Sequence, residues 1–230
     1  MEHRLLYAPV FTVVEFTLHE GEEVVAQPDS MISMTSGIEV TAAIGGAPNA
    51  SKKWWTGFKT MLGGESFFRA VFRSNRDEQT LILAPENYGD VKPVEVVDGH
   101  AMLMTRGAYL SHVGDCKLDA KYGGFKGWMA KTGFFLLRIT GSGTLFCQTY
   151  GAVVERELAE GERFLLDNRY VVAFSDTMTF ELVKSSKRLS DSLMSGEGFI
   201  NRFTGPGKLI YQTRAKPRFS FIGQLLGAVT

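Results

Sequence analysis

The chain has 230 residues, a length that one all-β domain can reach and that supports a buried core without disulfides or metal ions. Its Lys and Arg residues number 25 and so do its Asp and Glu residues, which argues against a dominant electrostatic attraction to nucleic acid or an anionic membrane. No run approaches the ~20 apolar residues of a membrane-spanning helix, and the N-terminus lacks the apolar region of a secretory signal, so we expect a cytoplasmic protein.

The first part of the chain is predicted to form short strands separated by turns. Partial alternation of apolar residues, interrupted by Gly, Pro, Asp and Ser, predicts strands over residues 12–19, 23–26, 31–34 and 38–41. A further pair of strands, residues 67–72 and 80–84, is predicted to form a hairpin.

Residues 51–61 hold two tryptophans, Trp54 and Trp55, beside three lysines. In one interpretation they form an interaction patch with Phe58, in which the rings meet a lipid or protein surface and the lysines extend to water. In the other, Trp54, Phe58 and Met61 form one face of a short helix that covers a sheet edge.

Strands and hairpins are also predicted for the rest of the chain. Strands are predicted over residues 91–97, 101–105 and 170–174, with one hairpin turning at Gly141-Ser142-Gly143 and another at Gly205-Pro206-Gly207. The apolar tail, residues 219–226, is predicted to be an ordered extension or a short helix, and Phe219, Phe221 and Leu225 make it a second candidate interaction patch.

A short pattern occurs three times along the chain. An apolar residue, an acidic residue, glycine, a polar residue and further apolar residues recur around Gly21, Gly99 and Gly161. Such self-similarity predicts one domain, residues 1–230, made of three repeats over about 12–91, 92–154 and 155–216, with an extension over 217–230. The second halves of the repeats differ in register by one residue, which a β-bulge could absorb.

No residue pattern points to catalysis, a cofactor or a metal ion. The four histidines lack metal-ligand spacing, and Leu209 follows Gly207-Lys208 where a phosphate loop needs Ser or Thr. Glu65 and Glu197 occupy matching repeat positions, as strand-start hydrogen-bond acceptors commonly do. Cys116 and Cys147 are too few for a disulfide framework, so we predict reduced, partly buried thiols. We expect that the protein is not an enzyme.

Three groups of residues carry a resemblance to a known family, from about Phe16 to about Thr213. They are 62–68 with 83–85, 165–167 with 172–174, and 203–207 with 211–213. They resemble uncharacterised bacterial and archaeal proteins related to the mitochondrial biogenesis factor linked to altered inheritance of mitochondria. The resemblance implies a fold similar to the tryptophan RNA-binding attenuator protein: three tandem β-sandwich-like repeats with pseudo-threefold symmetry. It implies no activity and no catalytic residues.

Two functions remain open. The first is a non-enzymatic scaffold or interaction protein that forms homo-oligomers through exposed strand edges and has a protein or membrane-surface partner. The alternative is a small-ligand or nucleic-acid binding module with a site between repeats or subunits, although zero net charge argues against nucleic acid.

Overall fold

A computed structural model describes residues 1–44, 68–119, 136–183 and 200–215, and these residues form an all-β protein, as predicted. Two single 3₁₀ turns, Arg106–Ala108 and Asn168–Tyr170, are the helical elements within these ranges. The strands that they accompany are short, with two long exceptions in the middle of the chain. In chain order they are β1 (Glu2–Leu6), β2 (Val13–Leu18), β3 (Glu23–Ala26), β4 (Met31–Met34), β5 (Ile38–Ile44), β6 (Phe68–Ser74), β7 (Gln79–Leu83), β8 (Val91–Val96), β9 (Met102–Thr105), β10 (Tyr109–Asp119), β11 (Leu136–Gln148), β12 (Val153–Leu158), β13 (Arg163–Asp167), β14 (Val171–Ser175), β15 (Thr179–Val183), β16 (Ile200–Thr204) and β17 (Gly207–Gln212).

The three glycines of the sequence pattern form the same turn. Gly21, Gly99 and Gly161 have φ of 84°, 86° and 73°, which is left-handed backbone that glycine adopts without a steric penalty. The amide after each glycine donates to a carbonyl three residues earlier, over 3.0 Å in all three turns. A six-residue strand (β2, β8 or β12) begins eight residues before each glycine, and another strand (β4, β10 or β14) begins ten residues after it.

We call residues 13–83, 91–148 and 153–212 the first, second and third segments. In each segment the opening strand (β2, β8 or β12) and the third strand (β4, β10 or β14) pair with the closing stretch, which is β7, the end of β11 or β17. The second strand (β3, β9 or β13) pairs with β6, the start of β11 or β16. The strands therefore pair in the same order in all three segments.

Each third strand carries an irregularity at the same place. The register against the closing strand shifts between Met31 and Ser33, between Tyr109 and Ser111, and between Val171 and Ala173. A β-bulge of this kind adds one residue to a strand and bends it. These bulges are common to all three segments and precede their second halves. The predicted bulge, which would absorb a register difference between the second halves, stays a prediction.

Hydrogen bonds between segments join the second strand of one segment to the third strand of the next. β3 pairs with β10 at Val25–His112 and at Ala26–Ser111. β9 pairs with β14 along three residues, from Met102–Ser175 to Met104–Ala173. These two junctions produce one ten-stranded sheet, while β1, β2, β7 and β4 form a four-stranded sheet and β13, β16 and β15 form a three-stranded sheet.

The predicted hairpins in the second half of each segment are wrong. β6 and β7 lie in different sheets, and so do β16 and β17, while the residues on both sides of Gly141-Ser142-Gly143 form the single strand β11. These glycines allow a close approach instead of a reversal. A Cβ on Gly141 would lie 2.0 Å from the Asp115 carbonyl oxygen, and one on Gly143 would lie 2.1 Å from that of Val113.

Among the described residues the core consists of three apolar clusters that largely follow the segments. The clusters include Phe16 of the first segment, Leu145 of the second and Phe203 of the third, and each of these side chains is fully buried. Residues of the second segment join the clusters of both neighbours: Phe146 packs with the first and Leu103 with the third. The second segment therefore holds the other two together.

Candidate functional site

The predicted interaction patches lie outside the described residues. This applies to all six of their residues and to the matched carboxylates: Trp54, Trp55, Phe58, Phe219, Phe221, Leu225, Glu65 and Glu197. The surfaces described below are candidates that the sequence did not indicate.

The first surface is β4, whose side chains are all exposed. Met31, Ile32 and Met34 expose 42%, 56% and 39% of their surface, and Ser33 is exposed as well. The first four residues of β10 and of β14, which are the third strands of the other segments, are all buried. Uncharged apolar residues on a sheet edge are a template for pairing with another strand, and native proteins usually cover them.

The second surface is the outer edge of β13. Leu165 exposes 59% of its surface, although Val25 and Leu103, at the same distance from the turn glycine in the other segments, are half-buried and buried. Among the described residues β13 pairs with β16 and with no other strand. The edge that β3 and β9 use to reach the next segment is therefore unused in β13.

A third apolar surface lies near the N-terminus. Tyr7, Val10 and Phe11 expose 76%, 58% and 66% of their surface, and Tyr88 exposes 79%. The Thr12 amide donates to the Gly89 carbonyl oxygen over 3.2 Å, and this hydrogen bond brings the chain beside Phe11 to the chain beside Tyr88. Several exposed rings in one region are typical of an interaction surface. Sequence reasoning missed it because these rings stand in turns rather than in an amphipathic strand.

A charged cleft of about 450 Å³ lies between the second and third segments. Its ionisable lining residues are Lys92, Glu95, His100, Glu155, Asp176 and Lys208. Glu155 joins two of these groups, because its carboxylate lies 2.5 Å from the Lys92 ammonium nitrogen and 3.7 Å from that of Lys208. The cleft has the size of a small-ligand site, but both of its lysines are already paired with Glu155.

One wall of the cleft is fixed by Asp176. Its carboxylate accepts a hydrogen bond from Arg138 at 3.1 Å and another from the Ala101 amide at 3.3 Å. Since Ala101 precedes β9 and Asp176 follows β14, these contacts reinforce the junction between the second and third segments. The same residues thus line the cleft and hold its two sides together.

A buried pair at the other junction joins Tyr109 to His112. The Tyr109 hydroxyl donates to the Val25 carbonyl oxygen over 3.0 Å and lies 2.8 Å from Nδ1 of His112. The hydroxyl has one proton, so when it donates to Val25 the imidazole Nδ1 carries the hydrogen between the two rings. Burial, with the charge of Arg69 nearby, lowers the pKa of His112 to about 4, so the ring is neutral at pH 7.

The two cysteine thiols are enclosed. Cys116 and Cys147 are free and buried, as predicted, and burial raises their pKa values to about 11 and about 12. A buried thiol with a raised pKa is a poor nucleophile. In the described part of the chain we find no cluster of His, Cys, Asp or Glu that could hold a metal ion and no helix long and apolar enough to cross a membrane.

Comparison with known proteins identifies the family. The family described as mitochondrial biogenesis AIM24 matches residues 3–214. The chain belongs to the AIM24 family. Another protein similar to this AIM24 chain is an uncharacterized protein of Streptococcus pyogenes serotype M6, which is 27% identical over 213 residues, with 91% of this chain and 84% of the other covered.

A solved structure supports the fold of this AIM24-family chain. The X-ray crystal structure of a Streptococcus pyogenes protein superposes with a TM-score of 0.71, covering 99% of this chain and 97% of that chain, at 24% sequence identity. At this identity the likeness concerns the fold. It brings no ligand, partner or activity to the surfaces described above.

Proposed function

We propose that this AIM24-family chain is a non-enzymatic interaction protein that forms homo-oligomers, built from three β-sandwich-like repeats about a near-threefold axis. The threefold pairing order, the matching turns and the matching bulges support the repeat architecture. A near-threefold arrangement would agree with the resemblance to the attenuator protein.

The single observation that supports the proposed homo-oligomer is the exposure of the β4 side chains. A strand with Met31, Ile32 and Met34 exposed has neither a charged residue nor a proline to keep its edge from pairing, although it is short and has a bulge. Burial of these side chains in an assembly removes apolar surface from water, which is the main favourable term in association. An oligomer would therefore cover the apolar side chains that β4 exposes in a single chain.

Sedimentation equilibrium over a range of protein concentrations tests the proposal. We expect the mean mass to rise above that of one chain, 25.4 kDa, as concentration increases. Val97 offers a control, because it exposes 59% of its surface one residue beyond the end of β8, so Val97→Lys should leave the mass unchanged. A mass of one chain at every concentration would contradict the oligomer.

Two further parts of the proposal concern what the assembly contacts. Action at a membrane surface rests on Trp54 and Trp55, and liposome flotation of the Trp54→Ala/Trp55→Ala variant tests it. Equal flotation of the variant and the wild type would contradict a membrane-surface role for these tryptophans. The localisation that we propose is cytoplasmic, and fractionation of cells that express the tagged chain tests it.

The charged cleft favours a second candidate function, the binding of a small zwitterionic molecule. Glu155 and Asp176 would face its cationic group, and Lys92 and Lys208 would face its anionic group, if the ligand replaces the internal ion pairs. Titration with a mixture of free amino acids, followed by the amide resonances of His100 and Ala101, tests it. Shifts that persist in a Lys92→Ala/Lys208→Ala variant would contradict the site.

A further inference from the structure

The junction between segments uses one strand from each side, and the chain contains three strands of each kind. β3 and β10 form the first junction, and β9 and β14 form the second. This leaves one third strand, β4, and one second strand, β13. Within the described ranges β4 pairs with β7 and β13 pairs with β16, so each of the two has one edge outside any described ladder.

Both junctions use the same register. The residue four positions after the turn glycine lies opposite the fourth residue of the third strand: Val25 opposite His112, and Leu103 opposite Phe174. The residue five positions after the glycine lies opposite the third residue, Ala26 opposite Ser111 and Met104 opposite Ala173. The same rule places Leu165 opposite Met34 and Leu166 opposite Ser33.

Side chains at these positions are more buried in the two junctions that form within the chain than in β4 and β13. In the pairs Val25–His112 and Leu103–Phe174, Val25 is half-buried and the other three side chains are buried. Leu165 and Met34 expose 59% and 39% of their surface. Two apolar side chains directly opposite each other on an antiparallel pair remove surface from water and stabilise the register.

We propose that β4 of one copy of this chain pairs with β13 of a second copy, antiparallel, with Met34 opposite Leu165. The inference deepens the oligomer proposed above and rests on it. A near-threefold arrangement would bring β4 and β13 of one chain to the third junction, but within the described ranges these two strands form no ladder with each other. The occupant that we assign is a second copy, because the chain carries both halves of a junction that it already forms twice. The pairing joins two different surfaces, so it is head-to-tail, and it closes when a dimer forms the junction twice or when several copies complete a ring.

Cysteine cross-linking between two different variants tests the register. A tagged Met34→Cys chain is mixed with an untagged Leu165→Cys chain under mild oxidation, and both substituted positions are exposed enough to preserve the fold. Opposed residues of an antiparallel pair have Cα atoms about 4.5–5.5 Å apart, which is within the reach of a disulfide. We expect the tagged and untagged chains to become linked at least about tenfold faster than in a mixture of Val97→Cys with Leu165→Cys chains.

Ile32 provides a control on the same strand. It exposes 56% of its surface but stands two residues out of register, so Ile32→Cys with Leu165→Cys should link more slowly than Met34→Cys with Leu165→Cys. Equal rates for these two mixtures would overturn the register. A wild-type mass above one chain without linkage above the Val97 control would overturn the β4–β13 junction and leave the oligomer standing.

Two other results bear on the occupant. A Met34→Cys/Leu165→Cys chain that closes a disulfide within one copy, while the mixture yields no linked pair, would show that the junction closes inside the chain and would overturn the second copy. Hydrogen exchange of the wild type needs no substitution: the β4 amides should gain protection as protein concentration rises, and equal exchange at low and high concentration would overturn the proposal.

Discussion

Two kinds of third strand occur in this molecule, and their difference lies in the neighbours rather than in the local structure. β4 follows its turn glycine at the same distance as β10 and β14, has the same bulge and pairs with its own closing strand. β10 and β14 also pair with the preceding segment, and their first four residues are buried, whereas those of β4 are exposed. The burial of these strands therefore follows their pairing with the preceding segment.

The largest effect comes from equivalent substitutions in the two kinds of strand. Leu110 and Ile32 are each the second residue of a third strand, but Leu110 is fully buried and Ile32 is 56% exposed. Leu110→Ala should lower the free energy of unfolding by roughly 2–5 kcal/mol, because it leaves a cavity in the core. Ile32→Ala should change it by less than about 0.5 kcal/mol in urea unfolding at a dilution that keeps the chain monomeric. Equal losses would contradict the exposed position of β4.

A second effect concerns the glycines that let β10 and β11 approach each other. Gly141 and Gly99 both have positive φ, but only at Gly141 would a Cβ meet backbone, 2.0 Å from the Asp115 carbonyl oxygen. Gly141→Ala should lower the free energy of unfolding by roughly 1–3 kcal/mol more than Gly99→Ala, because the strands must separate. Thermal unfolding of both variants measures the difference, and similar midpoints would show that β10 and β11 have room to adjust.

A third effect depends on pH and arises at the junction between β3 and β10, which has no counterpart at β4. The folded-state pKa of His112, about 4, lies below the value of about 6.5 for an exposed histidine, so the unfolded chain binds the proton more readily. Stability from the neutral ring is therefore complete above about pH 6.5 and is lost as the pH falls towards 4.

Urea unfolding at two pH values measures this loss. Between pH 7 and pH 5 the wild type should lose about 2 kcal/mol more than His112→Asn, which keeps a donor near Tyr109 but does not titrate. Equal losses in the two proteins would mean that His112 is not the titrating group.

The smallest effect concerns the turn between β12 and β13, at Gly161. The Ala159 amide and the Arg156 side chain donate to the Glu162 carboxylate and lower its pKa. Its stabilisation is present above the pKa of the unfolded carboxyl group and disappears as the pH falls through the lower folded value. Glu162→Gln should reduce the thermal midpoint slightly at pH 7 and not at all in strong acid. The same reduction at both pH values would assign the effect to packing.

The sequence predicted the parts of the fold that depend on local chemistry. The glycines at 21, 99 and 161 identified three turns, and the alternating runs beside them identified β2, β3, β4, β8 and β9. The hairpin prediction at residues 141–143 failed because Gly141 and Gly143 serve a close approach between β10 and β11, and a glycine in a sequence does not reveal which of its two uses applies. β1 was missed, since its mixed polar residues pair with β2 at an edge.

The candidate surfaces were less predictable than the fold. Burial of β10 and exposure of β4 depend on pairing with strands more than sixty residues away, which no local pattern records. The cleft follows the same logic, because Lys92 meets Glu155 only after β8 and β12 are brought together. The interaction patch predicted at Trp54 and Trp55 lies outside the described residues.

The central position of the second segment has a consequence for cooperativity. Its strands share hydrogen bonds and core side chains with both neighbours, whereas in the described part of the chain the first and third segments each share a junction with the second alone. Local openings can therefore begin at either end of the chain while the middle stays closed. Amide protons of β9 and of the adjoining part of β11 should then exchange only when the entire molecule unfolds, which makes them reporters of global stability.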